Sequence, residues 1–68
     1  MQEGNWILVH SSNKEYLVEM IRQMLAESGI ESLIINKMDS NYLFGDIEIY
    51  TLPDNVMKAK LLIEKFEH

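Results

Sequence analysis

The chain has 68 residues, enough for one domain, which we read as spanning 1–68. It has no cysteine and only two histidines, which excludes disulfides and thiolate metal sites. Six Lys and Arg against 11 Asp and Glu leave a formal charge of −5 at pH 7, the wrong sign for nucleic acid or an anionic membrane surface. An apolar share of 47% is that of a folded domain rather than a disordered segment.

Met1–Asn5 lacks a basic region followed by an apolar run, and apolar stretches such as Ile7-Leu8-Val9 are far too short to span a bilayer. The expected location is the cytoplasm. Trp6–His10 is short, apolar and partly β-branched, so it reads as a strand broken by Ser11-Ser12-Asn13. Ser12-Asn13-Lys14-Glu15 has the spacing of a capping box. From Lys14 to Ser28 the period becomes helical. Leu17, Met20 (or Ile21), Met24 and Leu25 form the apolar stripe, with Glu15, Glu19, Arg22, Gln23 and Glu27 on the other side. Gly29 stands where a left-handed C′ residue ends a helix, and Ile30 is placed to pack back on the last turn.

Ile30–Asn36 reads as a second strand centred on Leu33-Ile34-Ile35, and Lys37–Gly45 as a longer connection. Asp46–Leu52 alternates: Ile47 and Ile49 toward a covered face, Asp46, Glu48 and Tyr50 toward an open one. Pro53-Asp54 opens the last helix with Asp54 as N-cap, and Val56, Ala59, Leu62, Ile63 and Phe66 form its stripe. The expected fold is therefore α+β, a β-α-β-β-α two-layer sandwich. A right-handed crossover and a hairpin give a three-stranded sheet of order 2-3-1 with two helices on one face. This is a truncated ferredoxin-like arrangement. The first strand is then an edge able to accept another strand. If Ile7 and Val9 face the helices, Trp6, Leu8 and His10 join Asp46, Glu48 and Tyr50 on the open face, an apolar patch beside acids.

The stretch Asn36-Lys37-Met38-Asp39-Ser40-Asn41-Tyr42-Leu43-Phe44-Gly45-Asp46-Ile47-Glu48-Ile49-Tyr50 resembles a family of short bacterial proteins of unknown function, the putative prokaryotic signal-transducing proteins. Trp6, Ser12-Asn13, Gly29-Ile30, Val56 and Ala59 agree with it, so the resemblance covers nearly the whole chain. It implies a PII-like, ferredoxin-like fold and a signalling role. Fold analogy does not itself fix function. It brings no catalytic or ligand residues, and the three glycines form no phosphate cradle.

Candidate chemistry is sparse. Ser11 and Ser12 follow His10, but neighbours at a strand end point apart, so turn and capping roles suit them better than nucleophilic catalysis. Asp46 and Glu48 could share a proton or, with Asp39, hold a cation, yet acids on an open strand face are ordinarily just solvated. A lone His10 suits a surface or interface better than a metal. Met20 and Met24 follow the core periodicity, whereas Met38 and Met57 are less constrained. In the long connection, either Phe44 or Leu43 folds back to cap the core with Tyr42 lying across it, or Tyr42 and its neighbours touch a partner, and the two readings can both hold for different residues. These readings give no catalytic, cofactor or metal residues. The expected function is a non-enzymatic regulatory or protein-interaction module, working through a protein partner or self-association. Its candidate contacts are Trp6, Leu8, His10, Tyr42, Glu48 and Tyr50. The alternative is a sensor of a small ligand such as a nucleotide, amino acid or cation.

Overall fold

The computed structural model describes residues 5–38 and 45–66. The elements run β1 (Ile7–Ser12), α1 (Glu15–Glu27), β2 (Ser32–Asn36), β3 (Ile47–Thr51), a 3-10 turn (Pro53–Asn55) and α2 (Val56–Phe66). Strand β3 is central and antiparallel to both neighbours, giving the order β1-β3-β2. This is the β-α-β-β-α topology and strand order that the sequence pattern implies.

The core lies on one side of the sheet. Strand β3 contributes Ile47 and Ile49, α1 contributes Val18, Ile21 and Leu25, and α2 contributes Ala59 and Ile63. Both helices reach the sheet through these stripes, so their amphipathic patterns are satisfied on a single face. The α1 stripe turns on Ile21, which is fully buried, while Met20 is 49% exposed; the alternative position in the sequence reading takes the core and Met20 does not.

Both ends of α1 have identifiable causes. Its last turn closes as a Schellman motif, with Gly29 at φ +80°. The Ile30 N–H donates to the Leu25 carbonyl at 2.8 Å, and the Gly29 N–H to that of Ala26 at 3.0 Å. Ile30 is then buried in the core as the motif's apolar contact. The first turn departs from a capping box. Ser12 is still in the β1 ladder, opposite Ile47, so its Oγ accepts from the Lys14 N–H at 3.1 Å and the N-cap position falls to Lys14. Asp54 does not cap α2 either. It sits inside the 3-10 turn that Pro53 begins, where backbone geometry is already helical and a capping side chain has no extended backbone to reach from.

Strand β1 departs from simple alternation. Ile7 lies opposite Thr51 and Leu8 opposite Tyr50, but His10, not Val9, lies opposite Ile49. The extra residue is a β-bulge, which puts Val9 and His10 together opposite one residue of β3. His10 thereby moves to the level of fully buried Ile49, with its Nε2 shielded from solvent, and Val9 packs on the core. The expectation that His10 shares the open face with Leu8 is corrected by this bulge.

Candidate functional site

The open face of the sheet is built by register. Strand β3 alternates cleanly, with Ile47, Ile49 and Thr51 buried and Glu48 and Tyr50 on the opposite side. Residues directly opposite each other across an antiparallel pair share a face. Tyr50 lies between Leu8 of β1 and Leu33 of β2, and Glu48 between Ser11 and Ile35. Leu8, Leu33 and Ile35 are 44%, 37% and 38% exposed, so three large apolar side chains stand in solvent around the Tyr50–Glu48 pair. Trp6, half-buried, stands one residue before β1. The molecule measures 15 Å along its shortest axis, which accommodates the sheet and one helix layer.

A polar network crosses the middle of this face. The Tyr50 hydroxyl donates to Glu48 Oε1 at 2.6 Å, and Lys37 Nζ lies 3.2 Å from the same oxygen. The Tyr50 hydrogen bond, followed by Lys37, holds the Glu48 carboxyl below the usual carboxylate range. The same contacts raise Lys37 and Tyr50 above their ordinary values, in each case mainly through the hydrogen bond to Glu48. A carboxylate committed to two donors is a poor candidate for sharing a proton with Asp46, which is exposed.

The neck of the β2–β3 connection is tied at the rim of this face. The Lys37 N–H donates to the Asp46 carbonyl at 2.9 Å, adding a rung to the ladder. The Met38 N–H donates to Asn36 Oδ1 at 2.9 Å, and Met38 packs against the core. Gly45 closes the neck at φ +109°; a Cβ there would stand 2.5 Å from the Lys37 carbonyl oxygen. Asp39, Tyr42, Leu43 and Phe44, the loop residues singled out in the sequence, lie outside the described residues.

Of the candidate contacts, the structure brings together Leu8, Glu48 and Tyr50 and removes His10 to the helix side, while Trp6 is half-buried immediately before β1. It adds Leu33, Ile35 and Lys37. The apolar run Leu33-Ile34-Ile35 has no alternation to phase it, so its outward pair becomes visible only through pairing with β3. Among the described residues no group of three His, Asp or Glu side chains is placed to hold a metal ion, and no helix is long and apolar enough to cross a membrane.

The family model described as putative prokaryotic signal transducing protein matches residues 6–67. The chain belongs to that family. The match takes in both helices, all three strands, Trp6 and every open-face residue from Leu8 to Tyr50. No curated protein and no solved structure matches the chain. Membership in the family accounts for the likeness of the Asn36–Tyr50 stretch, and the family description carries a signalling role at the level of the whole domain.

Proposed function

We propose that this chain is a non-enzymatic signalling module that binds a protein partner through the open face of its sheet. One observation carries the reading: Leu8, Leu33 and Ile35 are exposed around Tyr50 on a face that neither helix covers. Apolar side chains gathered on a rigid strand surface gain free energy when a partner removes them from water. Tyr50 and Trp6 are the residue types that dominate such contacts.

The chemistry of the partner follows from charge. The chain carries −5, and Glu48, Asp46 and Glu31 lie on or beside the face. A partner with apolar side chains at its centre and basic residues at its rim fits this surface and is steered to it. The commitment of the Glu48 carboxylate to Tyr50 and Lys37 suits a binding surface better than acid–base chemistry. The likeness to PII-type regulators belongs to the same proposal, as does a cytoplasmic location.

The test is a pair of variants, Leu33→Lys and Ile35→Glu, each checked for fold by circular dichroism. A partner captured from cell extract by the native chain is then titrated in purified form against isotope-labelled protein. The reading expects amide shifts at Leu8, Leu33, Ile35 and Tyr50, and loss of binding in both variants. Shifts confined to the outer faces of α1 and α2, with binding retained by both variants, would refute it.

A further inference from the structure

Strand β2 is an edge of the sheet, and its backbone shows which of its groups face outward. Lys37 donates to the carbonyl of Asp46, its direct partner in the β2–β3 register. In an antiparallel ladder, residues that exchange hydrogen bonds alternate with residues that do not. Counting back from Lys37, Ile35 and Leu33 bond to β3. Ser32, Ile34 and Asn36 therefore turn their N–H and C=O groups to the outer edge. Among the described residues no strand pairs there.

We infer that a second copy of this chain pairs with that edge, β2 antiparallel to β2, with Ile34 opposite the partner's Ile34. In this register Ile34 exchanges two backbone bonds with the partner's Ile34, and Ser32 exchanges two with the partner's Asn36. The outward groups of one edge thus meet those of the other. Side chains agree as well. Leu33 falls opposite the partner's Ile35 on the open face, joining the two exposed apolar pairs in one row. Charges agree most specifically. Glu31 and Lys37 flank β2 as exposed residues, one at each end. The two-fold axis through Ile34 sets Glu31 against the partner's Lys37 and Lys37 against the partner's Glu31. Lys37 has three N–H donors, so it keeps its contact with Glu48 while reaching a second carboxylate.

The other edge offers no such match. Strand β1 reads Ile7-Leu8-Val9-His10-Ser11-Ser12, with no acid–base pair to fix a register, and its bulge bends the strand away from a flat edge. The β2 edge lacks the charge, proline or bulge that protects natural edges within its five residues. The result is one continuous sheet with all the helices on one side and a doubled open face. This goes beyond the reading of the face as a partner site, because the face stays free when the edges join. Failure of either idea leaves the other standing.

The experiment is sedimentation equilibrium from the micromolar to the millimolar range on the native chain, Glu31→Lys, Lys37→Glu and their equimolar mixture. Each single variant sets like charges against each other twice in its own dimer, so its self-association should weaken by at least about tenfold. The mixture restores both opposite-charge contacts and should recover the dimer, with the recovery lost at high salt. Ser32→Pro, which removes an outward N–H without touching the β3 ladder, should weaken pairing too. An isotope-filtered NOE between Leu33 Hα and the partner's Ile35 Hα in mixed-label native protein tests the register with no substitution. Monomer mass over the whole range would overturn the inference. So would a dimer indifferent to positions 31, 32 and 37, or one lacking that NOE.

Discussion

Two side chains on neighbouring positions of β3 face opposite fates. Thr51 is fully buried, and its Oγ1 has no hydrogen-bond partner among the described residues. A buried hydroxyl without a partner costs roughly 1–3 kcal/mol in lost hydration. Thr51→Val keeps the shape and removes that cost, so it should raise unfolding free energy by about 1 kcal/mol, read as a higher urea midpoint at unchanged slope. A lower midpoint would mean that the hydroxyl is bonded in solution. Tyr50, one residue back, has its hydroxyl satisfied by Glu48 at 2.6 Å. Tyr50→Phe removes the largest of the influences holding the Glu48 carboxyl down, so its titration should move up toward the ordinary carboxylate range. Carboxyl-carbon NMR across acid pH reads this directly. The sign for stability follows. Because the folded Glu48 titrates below its unfolded value, its contribution is complete above the ordinary carboxylate range and is lost as pH falls through the lowered folded value. Lys37 and Tyr50 titrate above theirs, so their contributions hold below the ordinary lysine and tyrosine ranges and are lost as alkaline pH passes through the raised values.

At the scale of elements, the two described glycines separate conformational strain from steric conflict. Both have positive φ, but a Cβ at Gly29 meets nothing within 4 Å, whereas one at Gly45 meets the Lys37 carbonyl oxygen at 2.5 Å. Gly29→Ala should therefore cost only the left-handed backbone penalty, about 1 kcal/mol. Gly45→Ala adds a backbone clash at the neck of the β2–β3 connection and should cost more; equal chemical-denaturation midpoints for the two would show that the neck relaxes freely. The helix stop at Gly29 was legible because a glycine after an amphipathic run has one common use. The starts were not. Ser12 and Asp54 are good capping residues, but ladder pairing holds one and a proline-led turn the other, and neither influence is local to the capping pattern. Phase followed the same division. Alternating Ile-Glu-Ile-Tyr fixed the faces of β3, while the unbroken apolar run of β2 and the bulge of β1 took theirs from the neighbouring strand.

At the scale of the whole molecule, the described residues form one sheet with helices on one side, so isoleucines on adjacent strands should differ in worth. Ile49 of β3 is fully buried beneath the helices, and Ile35 of β2 is 38% exposed on the bare face. Truncating a buried isoleucine costs about 2–5 kcal/mol from lost transfer energy and the cavity left behind. A domain of this size holds little in reserve, so Ile49→Ala is expected to leave the chain largely unfolded at 37 °C. Ile35→Ala removes side-chain surface that is already partly hydrated and that no helix closes over. Its cost should stay under about 1 kcal/mol in solution dilute enough to keep copies of the chain apart. The comparison reads the state of the face without knowing the partner. A cost for Ile35→Ala near that of Ile49→Ala would show that something covers the face in solution. If that cost then fell on dilution, the cover would be a second copy, because linkage makes the stability gained from association depend on protein concentration. If it did not fall, the cover would belong to the chain itself, and the surface through which we propose that it signals would be closed until a partner displaced it.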